Sequence, residues 1–394
     1  MQVERPRAAL NAQLLRINEG YRSAGIARYI LHLLRELPAA ANDFQLHLFA
    51  TEPLAPFLFP ETTVHSTRIP AQTPVARIFW EQTVFALNLI QTNYDLVHSL
   101  AYVSPFLNRN TNIVTLYDLS FYLYPEYFRP FHRLYLQLGT RISTRRARRV
   151  ITISESTKRD AVRLLNLDAN KIDVAVPGVD AEFYQPIDTA ALENFRRTKN
   201  LPEHFVLFIG TREPRKNIPT LLCAFAAAKR RMNFPHRLVL AGGRGWMDDE
   251  IPRVLQETGL TGEVILPGFV PHDELPYWYR AADCFVYPSQ YEGFGMPALE
   301  ALASGTPVIT SDISSLPEAV GEAALLIDPK SSEEIADALV RVLSDASLRQ
   351  QMSTRGLEHA RQFSWTRTAQ VTAGSYRRAL GLTRSIPVLK PISL

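Results

Sequence analysis

The stretch Pro288-Ser-Gln-Tyr-Glu292-Gly293-Phe294-Gly295-Met296-Pro297-Ala-Leu-Glu300-Ala-Leu-Ala-Ser-Gly305-Thr-Pro307 decides the fold. It follows Cys284-Phe285-Val286-Tyr287, an apolar run that reads as a buried strand. Met296 to Ala303 reads as a short helix, with Pro297 in the first turn, where a missing N–H costs nothing. Gly305 ends that helix, and Pro307-Val308-Ile309-Thr310 reads as the next strand.

The loop between strand and helix carries two glycines and one acid. Gly293 and Gly295 let the backbone approach a ligand closely. The helix start offers unpaired N–H groups and a positive dipole end, which suit a phosphate. Glu292 is placed to accept hydrogen bonds from hydroxyls. Glu300 follows about two helical turns later, so the two acids could grip different parts of one long polyol. The competing reading is a capped helix with one solvated glutamate.

Glu292-Gly-Phe-Gly-Met-Pro-Ala-Leu-Glu300, followed by Ala-x-Ala-x-Gly-x-Pro-Val, resembles the Glu-(seven residues)-Glu motif of the retaining nucleotide-sugar glycosyltransferases of family four, the group 1 glycosyl transferases. The resemblance runs from about Ala8 to Arg378. It implies an α/β architecture of the GT-B kind: two Rossmann-like doubly wound domains facing across a cleft.

Composition agrees with two domains. A chain of 394 residues exceeds one ordinary domain, and a hydrophobic content of 46% is ample for packed cores. No apolar run is long enough to span a bilayer. No apolar signal core follows Met1-Gln-Val-Glu-Arg-Pro-Arg, so a cytoplasmic location is expected. Cys223 and Cys284 both sit in apolar segments and read as reduced core residues. No Cys-x-x-Cys or Cys/His cluster supports a metal site. The net charge of +4 is mild but uneven. Arg141, Arg145, Arg146, Arg148 and Arg149 cluster on one helical stretch, either as a solvated basic helix or as a peripheral contact with anionic lipid at the inner face of a membrane. No nucleic-acid module is present.

Taken in order, the first half alternates strands (8–15, 44–49, 63–69, 96–98, 113–116, 150–153, 172–176) with helices (26–37, 76–90, and most of 124–149). Such alternation implies a parallel sheet with helices on both faces. The segment 188–201 reads as a helical connector. The second half repeats the alternation from Phe205-Val-Leu-Phe-Ile209 to a last strand at 324–327, then ends in helices 333–343, 348–362 and 365–380. The expected division is therefore 1–186, an N-terminal acceptor-binding domain; 187–364, a nucleotide-sugar-binding domain; and 365–394, a helix crossing back to the first domain plus an extended or disordered tail.

Gly210-Thr211-Arg212-Glu213-Pro214-Arg215-Lys216-Asn217 sits between a strand and a helix. Three cations around a tight turn suit a diphosphate, Arg through planar bidentate bonds and Lys as a point charge. It resembles the family's diphosphate-gripping loop, which implies a catalytic role for Lys216. Thr211 stands where the family has an arginine, so either Arg212 or Arg215 takes that part. Gly20-Tyr-Arg-Ser-Ala24-Gly25-Ile-Ala-Arg28-Tyr29 resembles the family's N-terminal glycine loop near donor and acceptor, with Ala24-Gly25 in place of two adjacent glycines. Thr115-Leu116-Tyr117-Asp118 ends a strand where the family commonly has His-Asp. Tyr117 is a poor base near neutral pH, which leaves Asp118 as the polar catalytic candidate. His98 matches the family's strand-end histidine, although such a residue is more often structural. Gly242-Gly243-Arg244-Gly245 reads as a close-approach turn. Val270 falls where backbone groups read the nucleobase in the family, and Trp278 and Tyr279 read equally as core or as base contacts.

The resemblance implies transfer of a hexose from a nucleoside-diphosphate sugar (GDP-mannose or UDP-glucose type) to a hydroxyl of a glycan or lipid-linked acceptor. It also implies retention at the anomeric carbon and no metal or other cofactor. Catalysis would fall to Lys216, an arginine, Glu292 and Asp118. Gly25, Gly210, Thr211, Val270, Glu292 to Met296 and Glu300 would hold the donor. Tyr117, His98 and Arg28 would lie on the acceptor side. Two rivals remain: a nucleotide-sugar binding protein that has lost transfer, favoured only by Tyr117 and Thr211, and an epimerase or phosphorylase of similar architecture, against which the Glu292 loop argues.

Overall fold

The computed structural model describes residues 4–16, 25–51, 58–67, 73–245 and 250–382. They form two compact units. The first takes the described residues up to Gly178 and those from Ser364 to 382; the second is Val179–Phe363.

The first unit is built on seven parallel strands: β1 (Arg7–Asn11), β2 (Gln45–Ala50), β3 (Thr62–Ser66), β4 (Leu96–Ser99), β5 (Thr111–Leu116), β6 (Arg149–Thr152) and β7 (Ile172–Val174). Their order across the sheet is β3-β2-β1-β4-β5-β6-β7. The second unit has six: β8 (Phe205–Ile209), β9 (Arg237–Ala241), β10 (Val264–Gly268), β11 (Cys284–Tyr287), β12 (Val308–Ser311) and β13 (Leu325–Ile327), in the order β10-β9-β8-β11-β12-β13. Helices follow nearly every strand, as parallel crossovers require. Central strands such as Phe205-Val-Leu-Phe-Ile209 are apolar throughout because helices cover both faces. The edge strand Thr62–Ser66 is only partly buried and correspondingly polar. Both are Rossmann-like doubly wound sheets.

In each sheet the strand order reverses once, between β1 and β4 and between β8 and β11. Open α/β sheets bind ligands at the carboxyl ends of the strands flanking such a reversal. Lys216 follows β8 and Glu292 follows β11, so both leave the second sheet at its reversal point.

The units meet the chain at different residues from those expected. The first ends at Gly178, before the expected 186, because Phe183 is fully buried in the second unit. Its ring packs 6.0 Å from Tyr279, and Arg280 donates to its carbonyl at 3.0 Å. The helix Trp365–Leu380 packs in the first unit on Ile26–Ala40. Trp365 stacks on His32 at 4.8 Å, and Arg377 pairs with Asp43 at 2.7 Å. A Cβ on Gly178 would stand 2.2 Å from the Trp365 nitrogen, so this turn requires glycine.

Other differences are local. The helix expected at 76–90 spans Pro74–Gln91 but contains a π-turn at Glu81–Phe85. The helix expected over 124–149 is confined to Pro130–Arg146, started by Pro130. A helix at Glu250–Thr258 has no counterpart in the sequence reading. The Gly20–Ala24 part of the N-terminal glycine loop and the tail from Thr383 lie outside the described residues. No helix among the described residues is long and apolar enough to cross a membrane.

Candidate functional site

Beyond β8 the chain turns through Pro214–Lys216 and passes Asn217 in the left-handed conformation, at φ 60°, into the helix Ile218–Arg231. That turn folds Lys216 inward until it is 6% exposed. Its Nζ donates to Glu292 Oε1 at 2.6 Å and to the Tyr287 hydroxyl. The Tyr287 hydroxyl donates in turn to Glu292 Oε1 at 2.9 Å, and Ser289 Oγ donates to the same oxygen at 2.6 Å. Arg215 Nη1 reaches Glu292 Oε2 at 3.3 Å and the Tyr291 carbonyl at 3.1 Å, while its Nε bonds Glu213. The loops after β8 and β11 are thus joined through one carboxylate.

The backbone of Glu292 is fixed as firmly as its side chain. Its carbonyl accepts from Ser314 Oγ and Ser315 Oγ, both at 2.8 Å, and its N–H donates to Ser314 Oγ at 3.1 Å. Ser314 holds φ 61°, an uncommon conformation for a non-glycine residue, stabilised here by both hydrogen bonds.

Burial pushes the Glu292 carboxyl up. The charges of Lys216 and Arg215, with the hydrogen bonds from Lys216 and Ser289, outweigh it and hold the group at about 2. Burial draws the Lys216 ammonium down, and Glu292 opposes that. Each charge of the pair thus favours the other.

Gly295, at φ 107°, caps the helix Met296–Ala303, and a Cβ there would meet Leu316 at 2.7 Å. The helix carries Glu300 inward to 4% exposure, where the Tyr279 hydroxyl donates to Oε2 at 3.1 Å. Tyr279 and Trp278 are buried core residues. Phe294 is buried edge-on to Phe363 at 5.8 Å, so its side chain packs the unit.

The glycines at the ends of β8, β9 and β10 make a close approach to one another. A Cβ on Gly242 would lie 2.0 Å from the Gly210 carbonyl oxygen, and the Gly242 N–H donates to Gly268 at 2.7 Å. Arg212 bridges Arg244 through the backbone and its N–H donates to Gly243 at 3.1 Å. Arg215 is the arginine whose side chain reaches Glu292. Thr211 packs beside Gly245, and Val270 is buried.

In the first unit the expected residues separate. Asp118 Oδ1 accepts from the Ser120 N–H at 3.0 Å and the Ser120 hydroxyl at 2.7 Å, at the end of β5. Gly25, at φ 61°, opens the helix that carries Arg28. Tyr117 is buried and its hydroxyl donates to the Leu100 carbonyl at 2.8 Å. His98 is wholly enclosed, with Nδ1 2.7 Å from the Tyr376 hydroxyl and Nε2 2.8 Å from Thr115 Oγ1. Burial lowers its ring to about 3, so it is neutral at ordinary pH. These two expected acceptor-side groups are core residues of the first unit, with their polar atoms committed to it.

Sequence reasoning missed Tyr287, Ser289, Glu213 and the Ser314-Ser315 pair. Each lies at or just past a strand end, which is the signal that could have found them. It also missed Glu81, on the π-turn, which accepts from Asn11 at 2.8 Å, Gln13 at 2.7 Å and Tyr135 at 2.8 Å. Among the described residues, His204, His236 and Asp283 bring potential metal-ligand atoms within 4.8 Å, as do Asp180, Glu182 and His272. The first group lies at the opposite strand ends from Glu292, where Asp283 accepts from the Phe205 N–H at 3.0 Å.

A buried lysine, a half-buried arginine and a carboxylate at the reversal point of a Rossmann-like sheet are the equipment for holding a polyol diphosphate. Comparison with known proteins agrees. The family model described as glycosyl transferases group 1 matches residues 191–359, and that described as glycosyltransferase family 4 matches 23–183. The O-antigen chain mannosyltransferase B of Escherichia coli is 34% identical over 265 residues, covering 67% of this chain and 70% of that protein. The chain therefore belongs to the group 1, family 4 glycosyltransferases and is a GT-B enzyme of the transferase class. Among solved structures, sucrose-phosphate synthase from Thermosynechococcus elongatus superposes with a TM-score of 0.76 at 24% identity, over 96% of this chain and 100% of that one. HepE of Anabaena, in complex with UDP and glucose, gives 0.72 at 18% identity, over 94% and 99%. Both likenesses concern the fold.

Proposed function

We propose that the chain is a retaining hexosyltransferase that takes its sugar from a nucleoside-diphosphate donor and passes it to a hydroxyl of a glycan or lipid-linked oligosaccharide in polysaccharide synthesis. The observation that supports this best is the buried Lys216–Glu292 pair, 2.6 Å apart, with Arg215 beside it. In this reading the second unit holds the donor. Lys216 and Arg215 neutralise the diphosphate as it leaves, together with the N–H groups from Gly293 to the start of the helix. Glu292 and the same loop hold the sugar hydroxyls, and Glu300 the ribose. The bond from the anomeric carbon to the diphosphate oxygen breaks with its electron pair going to the phosphate. The acceptor oxygen bonds to the same face of that carbon through an oxocarbenium-like state, and its proton passes to the departing phosphate. Asp118 is the polar catalytic candidate of the first unit, and Arg28 belongs to the acceptor side. No metal is needed, because the protein's own cations supply the positive charge.

Among donors of the GDP-mannose and UDP-glucose types, the name of the mannosyltransferase relative favours a mannose donor. The test is turnover against a panel of UDP-, GDP- and ADP-sugars, followed as free nucleoside diphosphate, with product linkage assigned by NMR. One donor class should turn over, unaffected by a chelator, and lose turnover in Lys216→Ala. An inverted linkage would overturn the retaining mechanism. Donor binding with no release on any acceptor or water would point instead to a binding protein.

A further inference from the structure

The helix Pro130–Arg146 leaves an apolar stripe in solvent. The residues it buries are Gly139, Thr140, Ser143 and Thr144, small or hydroxylated. Gly139 sits so close that a Cβ would stand 2.9 Å from Val103. Leu136 packs against the core, but Phe131, Leu134, Leu138 and Ile142 point to solvent, and the first three are more than half exposed. Their spacing puts all four on one helical stripe.

The neighbouring helix Pro74–Gln91 does the same with Val75, Phe79, Leu87 and Ile90, each more than half exposed. The two helices and the loop between β4 and β5 adjoin. Tyr135 bonds Glu81 at 2.8 Å, the Phe106 N–H bonds Gln82 at 2.9 Å, and Arg146 bonds the Phe106 carbonyl at 2.6 Å. The loop adds exposed Phe106 and Leu107. An exposed apolar area of this extent marks a contact surface.

Charge identifies what it contacts. Arg109, Arg129, Arg141, Arg145 and Arg148 are exposed on these segments. The segments 62–94, 96–117 and 127–154 contain a single acid, Glu81, and it is buried. A cavity of about 240 Å³ between Phe106 and Ile142 is lined by Arg109 and Arg146. A second copy of this face would set arginine against arginine. An anionic bilayer satisfies both features, taking the apolar side chains among its acyl chains and the guanidinium groups at its phosphates.

We propose that this face of the first unit seats the enzyme on an anionic lipid bilayer, with Phe131, Leu134 and Leu138 inserted and Arg141 and Arg145 on lipid phosphates. The proposal does not rest on the donor assignment.

The test is co-sedimentation of the full chain with vesicles of phosphatidylcholine alone and of phosphatidylcholine with roughly one-third phosphatidylglycerol, at low and at high salt. Binding should require the anionic lipid and weaken with salt. Leu134→Asp/Leu138→Asp and Arg141→Glu/Arg145→Glu should each weaken it by about tenfold or more, since insertion and charge are both needed. Both variants replace solvent-facing residues, so circular dichroism and turnover of soluble donor should match the parent. Absence of vesicle binding by the parent, binding indifferent to both variants, or a dimer that the same variants dissolve would each overturn the proposal.

Discussion

Lys216 Nζ lies 2.6 Å from Glu292 Oε1, and the two residues are 76 positions apart in the chain. They meet because parallel β8 and β11 are adjacent and both end at the same edge. A buried pair of this kind contributes little net stability against an apolar substitute, but breaking one side of it is costly. Its value lies in presenting a fixed cation and a fixed anion side by side.

Lys216→Ala should therefore do two things. It should abolish transfer, and it should lower stability by roughly 3–5 kcal/mol by taking the nearer cation from the buried Glu292 and leaving it to Arg215 at 3.3 Å. Lys216→Met combined with Glu292→Gln should recover most of that stability and none of the activity. Urea midpoints alongside nucleoside-diphosphate release make the comparison. A double variant as unstable as the single would show that the pair itself stabilises the fold.

Glu81 gives the protein a pH dependence of its own. Burial pushes its carboxyl up, against Tyr135, Arg77 and Asn11, to about 7 from an ordinary 4.5. The folded state thus binds the proton more tightly than the unfolded one. The stability from this group is fully present below about pH 4.5 and is lost as pH rises through 7. The loss amounts to about 3 kcal/mol. Glu81→Gln should flatten the stability profile across that window in chemical unfolding. An unchanged slope would place the titration elsewhere.

Glu300→Ala should weaken donor binding with little loss of fold. Tyr279→Phe removes one hydrogen bond to Glu300 and should cost about 1 kcal/mol of stability. Thermal shift with the active nucleotide sugar separates them: the stabilisation by ligand should shrink sharply in Glu300→Ala and slightly in Tyr279→Phe.

Gly242→Ala should be among the most damaging substitutions in the second unit. It forces a side chain into φ 138° and onto the Gly210 carbonyl. Strain and overpacking together should cost several kcal/mol, roughly 1–3 from each. Gly259→Ala, with φ 71° but open space around the site, should cost only about 1–2 kcal/mol. Equal urea midpoints for the two would refute the close approach of β8 and β9.

His98→Asn should destabilise the first unit and spare the reaction of whatever protein remains folded, since both ring nitrogens serve Tyr376 and Thr115. A loss of turnover per folded molecule, with stability intact, would return His98 to the acceptor side.

Much of this protein is written locally. The strands Phe205–Ile209, Arg237–Ala241 and Cys284–Tyr287 and the helices Met296–Ala303 and Trp365–Leu380 end where the sequence says they should, because apolar runs bounded by Gly, Pro and capping Ser are local signals. The glycine-rich loop, its two acids and the family follow from the same stretch. Tertiary packing alone decided that Arg215 reaches Glu292, that Tyr117 and His98 spend their polar atoms inside the first unit, and that Pro130–Arg146 buries its threonines and exposes Leu134 and Leu138. Spacing along a chain tells which side chains share a face. Which face is buried depends on what distant segments bring against it, and no local pattern records that.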